Sequence, residues 1–291
     1  MIYEVTHTTI YEYESRVSFA RCQLNIEPAD RPGQRVLSHA LHIVPKPVEM
    51  DRHRDFFGNW STNIAFADPH DELTVRAVSR IEVDPPTALA PMMSESWERV
   101  REAAAEHPDL GPDSPVHGLF PSRFAPVSAD VTAYGETSFP RGRPVVEAVR
   151  ALMERIYEDF AYDPKATEVS TPVAEVLVAR RGVCQDFAHL MIAALRGLGL
   201  SALYVSGYLR TIPPPGAERL VGADATHAWA SVWCGSGVGW LGFDPTNAVL
   251  AGEDHVVLAV GRDYADVAPV SGVVMSAQGH RLSVEVDVVP L

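Results

Sequence analysis

The apolar residues of this chain change their spacing at Pro144, from a period of two to a helical period. That change divides the chain into a strand-built part and a mixed part. In the first, Tyr3, Val5, His7, Thr9, Tyr11 and Tyr13 fall on one parity. Segments 39–44, 63–68 and 72–83 are β-rich, and turn signals such as Gly58-Asn59 and Asp68-Pro69 separate them. An antiparallel β-domain is expected over residues 1–84. From Pro144, a residue suited to a first helical position, Val145, Val149, Leu152, Met153, Ile156 and Phe160 recur at helical spacing. Thr171-Pro172 opens a second helix that runs to about Ala179. A third starts near Cys184, with Phe187, Leu190, Met191, Ala194, Leu195 and Leu198 on one face and Gly199 as its stop. Strands resume over 202–210, 227–233 and 238–244, with the Pro213–Gly216 stretch breaking the first from the second. The tail, 281–289, alternates as a strand. The expected fold is α+β, with residues 144–291 as its second domain.

Residues 85–143 between the two parts hold nine of the 23 prolines. Here Ser94–His107 has a helical pattern, with Ser94 as its cap. This is expected to be a connecting region draped over both domains, since so long a stretch is unusual for a plain linker.

The formal charge of −14 repels phosphate backbones and anionic lipid, so neither nucleic acid nor a membrane surface is an expected partner. The three cysteines, Cys22, Cys184 and Cys234, cannot form a full disulfide framework. The start, MIYEVTHTTIYEYE, has neither the basic stretch nor the apolar core of a secretory leader. No run approaches the ~18 apolar residues that a membrane span needs. The cytoplasm is therefore the expected compartment.

Cys184 is the residue best placed for chemistry. It opens an amphipathic helix two residues after Gly182. Unpaired helix N–H groups, the positive end of the helix dipole and nearby cations lower a thiol pKa, and Arg180 and Arg181 come just before it. A buried structural cysteine is the competing reading. A thiol nucleophile needs a base, and the base needs an orienter. His189 lies about 140° round the helix from Cys184, so packing or a local hydrogen bond is its expected role. His227 and Asp244 flank the turn CGSGVG. With Gly235-Ser236 as a two-residue turn, His227 falls directly opposite Asp244. A carboxylate there would accept the imidazole Nδ1–H. A register shift of two would still leave both on one face, whereas an odd loop would separate them. Trp229, Ser231, Trp240 and Gly242 would share that face, and the start of the Cys184 helix should lie over it. Ala228, Ala230, Leu241 and Phe243 would form the opposite, apolar face. A satisfied strand histidine beside a turn aspartate is the competing reading. Cysteine, histidine and aspartate are also zinc ligands. With no CxxC or HExxH pattern, no metal and no cofactor is expected.

The segments GVCQDFAHLMIAALRGLGLSALYVSGYL, THAWASVW and GWLGFDPTN resemble the core of the transglutaminase-like superfamily. The first 80 or so residues, with YEVTHTTIYEYESRV, NIEPAD, QRVLSHALHIVPKP and DFFGNW, resemble the N-terminal domain of its bacterial members, and GRDYADVAPVSG looks like their tail. The resemblance implies a papain-like core and acyl transfer through a thioester. Cys184 would be the nucleophile, His227 the proton carrier and Asp244 its orienter. The Cys184 N–H would be one oxyanion donor. Papain-like enzymes take the second from an upstream glutamine and animal transglutaminases use a tryptophan there; neither stands in the corresponding stretch. Tyr162 is one substitute, with a helix-end anchor as its other role. Asp186 would favour the helix start electrostatically. Trp229, Trp233 and Trp240 would line the cleft or pack the sheet. The expected reaction is hydrolysis of an amide or peptide bond, because no calcium-loop motif of a cross-linking enzyme appears. An amine acyltransferase and a non-catalytic peptide-binding module are the alternatives.

Overall fold

A computed structural model describes residues 1–84, 94–211 and 225–291; the Pro213–Gly216 break lies outside these, as do Pro85, Pro86 and Pro91. Six strands come first: β1 (Ile2–Val17), β2 (Phe19–Glu27), β3 (Gln34–Val44), β4 (Glu49–Arg54), β5 (Trp60–Phe66) and β6 (His70–Val83). Then follow α1 (Trp97–Ala105), α2 (Ala129–Glu136), α3 (Val145–Asp159), β7 (Ala161–Tyr162), α4 (Val173–Ala179), β8 (Arg181–Gly182) and α5 (Cys184–Gly197). The remainder is β9 (Ala202–Leu209), β10 (Ala225–Trp233), β11 (Trp240–Asp244), β12 (Val249–Leu250), β13 (His255–Gly261), α6 (Tyr264–Val267), β14 (Val270–Met275) and β15 (His280–Pro290). The class is α+β, with an antiparallel β-rich N-terminal part followed by helices and a five-stranded antiparallel sheet.

The strand alternation of β1 acts as the sequence suggests: Tyr3, Val5, His7, Thr9 and Tyr13 are buried while their neighbours are less so. β1 lies between β15 and β6, with β3 beyond, and a second sheet runs β14-β2-β5-β4. Val17, Leu24, Ile26, Ile64, Phe66, Leu73 and Val75 pack between these two sheets. The other end of the long first sheet, through Tyr3, Val5, Ile81, Val286 and Val288, packs on Tyr208, Val256 and Leu258 of the third sheet. That third sheet runs β12-β11-β10-β9-β13. The C-terminal strands of the span 144–291 join the N-terminal sheets, β14 pairing with β2 and β15 with β1.

The region 85–143 also contributes to the core. Ser94 does not cap α1. Its hydroxyl accepts the Val146 N–H, 3.3 Å away, at the start of α3. α2, which carries no clear helical pattern, lies against α5. Gly135 and Gly197 permit this approach: a Cβ on Gly135 would come 3.0 Å from that of Ala194, and one on Gly197 would meet Thr132 Oγ1. Buried Arg196 of α5 then holds the covering segment, donating to Gly118 O at 3.1 Å and Ser122 Oγ at 2.9 Å, and also to Ala202 O and Arg262 O.

β13 is the sheet edge, and its outward backbone groups find partners in two amides from the N-terminal part. Gln34 donates to Val257 O and accepts from Val257 N–H, both at 2.8 Å. Asn59 does the same at Val260, at 2.7 and 2.8 Å. Replacing Gln34 by leucine removes one pair and leaves a part-buried N–H and C=O of Val257 without that partner. Gln34→Leu should lose about 1–3 kcal/mol in urea unfolding, whereas an unchanged midpoint would mean that the clamp does not hold the edge.

Candidate active site

The start of α5 is built to place Cys184. Arg180, at φ 54°, ends α4 in the left-handed region. β8 then pairs in parallel with β7. Asp186 folds back, and its Oδ2 accepts the Val183 N–H at 2.8 Å and the Thr167 hydroxyl at 2.6 Å. A Cβ on Gly182 would lie 2.6 Å from that same oxygen, so only glycine fits there. Burial pushes the Asp186 carboxyl up against the pull of its two donors. Asp186 is thus a cap for the helix that carries the thiol. Gln185 ties the preceding loop down through Val169 O, at 3.1 Å. At the far end Gly199, at φ 78°, lets the Leu200 N–H donate back to Leu195 O at 2.9 Å. Arg180 pairs with Asp159 and covers Tyr134 and Phe160.

The hairpin register differs by two from the one expected. Gly235 and Gly239 both take positive φ, and Cys234 N–H donates to Gly239 O at 2.8 Å, closing a four-residue loop. Ala230 therefore faces Phe243 and Ser231 faces Gly242. Continued, this register sets Asp244 across from Trp229 and diagonal to His227. Parity survives a shift of two, and the side chains meet: His227 Nε2 lies 2.8 Å from Asp244 Oδ2. The expectation of an Nδ1 contact is corrected. A diagonal pair spans more than a directly opposed one, so the distal nitrogen reaches the carboxylate. Nδ1 is left for Cys184, which acts on the ring and helps raise its pKa.

The helix body is not over the His227 face. α5 packs on Ala228, Ala230, Val232 and Phe243. The expected apolar face is thus the one the helix covers, and the first residue of α5 meets His227 near the start of β10.

Asp244 has no solvent exposure. Its Oδ2 receives His227 Nε2 at 2.8 Å, Asn247 Nδ2 at 2.7 Å and His255 Nε2 at 3.2 Å, while Oδ1 takes the Thr246 N–H at 3.0 Å. Burial opposes the charge, but these donors prevail and hold the carboxyl well below the usual range. Burial likewise disfavours the charged form of His227, yet Asp244 and Cys184 together raise it to about 9. His227, Asp244 and His255 offer ligand atoms all within 4.8 Å of one another, close enough for a metal ion. The hydrogen bonds oppose that use. Gly252 N–H points at His255 Nδ1, 3.3 Å away, so the His255 proton sits on Nε2, where a ligand would need a lone pair.

Other candidates fall into place around this cluster. His189 is buried, stacks on Phe124 and accepts the Tyr264 N–H at 3.1 Å. Burial lowers it to about 4, which makes it a neutral packing residue. Trp229 lies between Gly207 and Gly242, where added Cβ atoms would come 2.4 and 3.1 Å from the indole. It packs beside His227 and edge-on to His255. Trp240 donates to Asp113 O at 2.9 Å, and Trp233 is buried beside His107. Tyr162 is 59% exposed, so it is no buried anchor, and it stands near enough to Cys184 to feel its charge. No local pattern marks His255, in a run too continuously apolar to signal a site, or Asn247, three residues after Asp244 in a turn.

Comparison with known proteins bears on family and fold. Residues 3–82 match the bacterial transglutaminase-like N-terminal region, and residues 134–245 match the transglutaminase-like superfamily. Uncharacterised proteins of Mycobacterium bovis and Mycobacterium tuberculosis are each 43% identical over 301 residues, covering 99% of this chain and 92% of theirs. A Mycobacterium leprae protein, also uncharacterised, is 32% identical over 99% of this chain and 98% of its own length. A crystal structure of a proposed cysteine protease from Cytophaga hutchinsonii has a TM-score of 0.79 at 22% identity. It covers all of this chain and 91% of its own, and shares its fold.

The His227 pKa, raised to about 9, lies above the unfolded value of ~6.5. The stability it contributes is therefore complete below that pH and is lost as pH rises through about 9. Nitrogen-15 NMR should show His227 titrating near 9 in the wild type and at or below ~6.5 in Asp244→Asn, where burial is no longer opposed by the carboxylate. A wild-type value near 6.5 would contradict the coupling.

Proposed function

The chain belongs to the transglutaminase-like superfamily, and we propose that Cys184 is its nucleophile, His227 its proton carrier and Asp244 the orienter of His227. Membership supports cysteine-dependent acyl chemistry in general; hydrolysis of an amide or peptide bond is our finer reading. The observation that carries it is the buried His227–Asp244 pair, with Cys184 at the start of α5 acting on the same ring. His227, raised to about 9, can hold the thiol proton at neutral pH. The Cys184 sulfur attacks the carbonyl carbon, and His227 passes that proton to the departing amine as the C–N bond breaks. Water then attacks the thioester, His227 takes its proton, and the sulfur leaves with the pair of electrons from the C–S bond. The Cys184 N–H, at the first turn of α5, has no partner within the helix and is one donor to the oxyanion. Tyr162 is our choice for the second. Partial desolvation of this mostly exposed ring and the nearby Cys184 raise its pKa, which keeps its hydroxyl a donor.

Two observations favour water as the acyl acceptor. Cys184 is partly exposed, and Tyr162 beside it is open to solvent. The substrate we propose is a peptide or another amide-bearing molecule. All three cysteines are free thiols, which suits a reducing compartment, and we place the protein in the cytoplasm. Among the described residues no helix is long and apolar enough to cross a membrane.

A peptide-anilide library, assayed with and without an added amine, tests the reading. Cys184→Ala and His227→Ala should each lose at least ~10³-fold in rate. Asp244→Asn should keep a residual rate, up to roughly 10⁴-fold below wild type, since it removes orientation and leaves the nucleophile. Turnover should survive EDTA and need a reductant. Incorporation of the amine in place of water would favour acyl transfer, and a Cys184→Ala protein as active as wild type would overturn the mechanism.

A further inference from the structure

The sequence from Gly252 to Gly261 brings a second histidine to the buried carboxylate, and its protonation pattern is legible. Gly252 N–H lies 3.3 Å from His255 Nδ1 and can only donate, so Nδ1 carries the lone pair. The ring proton is then on Nε2, which lies 3.2 Å from Asp244 Oδ2. The ring cannot easily turn to another partner. It is 6% exposed and stands at 81° to Trp229, with centroids 5.2 Å apart. Trp229 is itself held between Gly207 and Gly242. The strand that begins at His255 is pinned two residues later by Gln34 at Val257, and again by Asn59 at Val260.

From this geometry we propose that His255 is a positioning residue for the proposed reaction, holding the oxygen of Asp244 that His227 uses by means of a single fixed tautomer. The proposal rests on the reading of Cys184 as nucleophile and His227 as proton carrier. A carboxylate oxygen held by one donor can swing. Oδ2 is held by three, from β10, from β13 and from the turn after β11, and its position is set from three directions. The His255 N–H also competes with that of His227 for the same oxygen, which moderates the pull of Asp244 on His227. The titratable groups that face His227 among the described residues are Cys184 from α5, Asp244 from β11 and His255 from β13. With the His255 donor gone, Asp244 should hold the His227 proton more tightly while placing the ring less well.

Iodoacetamide alkylation of Cys184 in the full chain tests this without a substrate, with Cys22 and Cys234 as internal references. His255→Phe keeps the ring size and removes both nitrogens, and His255→Gln returns an N–H close to the Nε2 position. His255→Phe should slow Cys184 alkylation at pH 7 by at least roughly 10-fold, the scale of one hydrogen bond to a charged group. The His227 titration, followed by nitrogen-15 NMR, should move upward. His255→Gln should recover most of both. Equal rates and titrations for wild type and His255→Phe, or a glutamine variant no better than phenylalanine, would overturn the proposal. Should His255→Phe fail to fold, the wild-type NMR spectrum decides, because the proposal requires the Nε2–H tautomer of His255 and an Nδ1–H tautomer excludes it. Failure of the underlying reading looks different: wild-type Cys184 would then alkylate no faster than Cys22 or Cys234, whatever stands at 255.

Discussion

A carboxylate with no access to water must be satisfied by donors from within the protein, and Asp244 imposes that requirement on everything around it. Leaving an ion of this kind unpaired costs several kcal/mol. Four N–H groups meet the need here: the rings of His227 and His255, the Asn247 amide and the Thr246 backbone. Those donors come from β10, β13 and the turn after β11, so one buried charge fixes three parts of the sheet relative to one another. His227 is the only one of the four that also meets a thiol. Its raised proton affinity follows from the carboxylate on one side and the sulfur on the other.

The rest of the fold keeps that arrangement rigid. α5 delivers Cys184 because its first turn is capped by Asp186, which itself rests against Gly182. The body of α5 is held on the apolar face of the sheet, and α2 and Arg196 secure it from outside. The N-terminal strands give the edge strand β13 its missing partners through Gln34 and Asn59. The last two strands return to the N-terminal sheets, so the two ends of the chain close around the sheet that carries the site.

Much of this was legible from side-chain period. The buried parity of β1 and the start, face and stop of α5 were readable, because each is decided by local alternation or by a glycine. The same parity put His227 and Asp244 on one face. The register was not readable, since Gly235 and Gly239 both adopt positive φ and lengthen the turn, which composition does not distinguish from a Gly235-Ser236 turn. α2 was missed because Ala129–Glu136 contains a threonine and a glycine and depends on close packing against Ala194 and Gly197 rather than on its own propensity. His255 opens a strand buried along most of its length, whose apolar run has no period to read. Its role comes from a contact across 11 residues that no local pattern encodes.

If Cys184 carries the acyl group, that group can be trapped on its sulfur. The wild-type protein would be mixed with p-nitrophenyl acetate at neutral pH, quenched in acid and mapped by peptide mass spectrometry. Acetyl is expected on Cys184, little on Cys22 or Cys234, and none on Cys184 in the His227→Ala protein. Ester turnover with Cys184 left unmodified, or equal acetylation of all three cysteines, would contradict it.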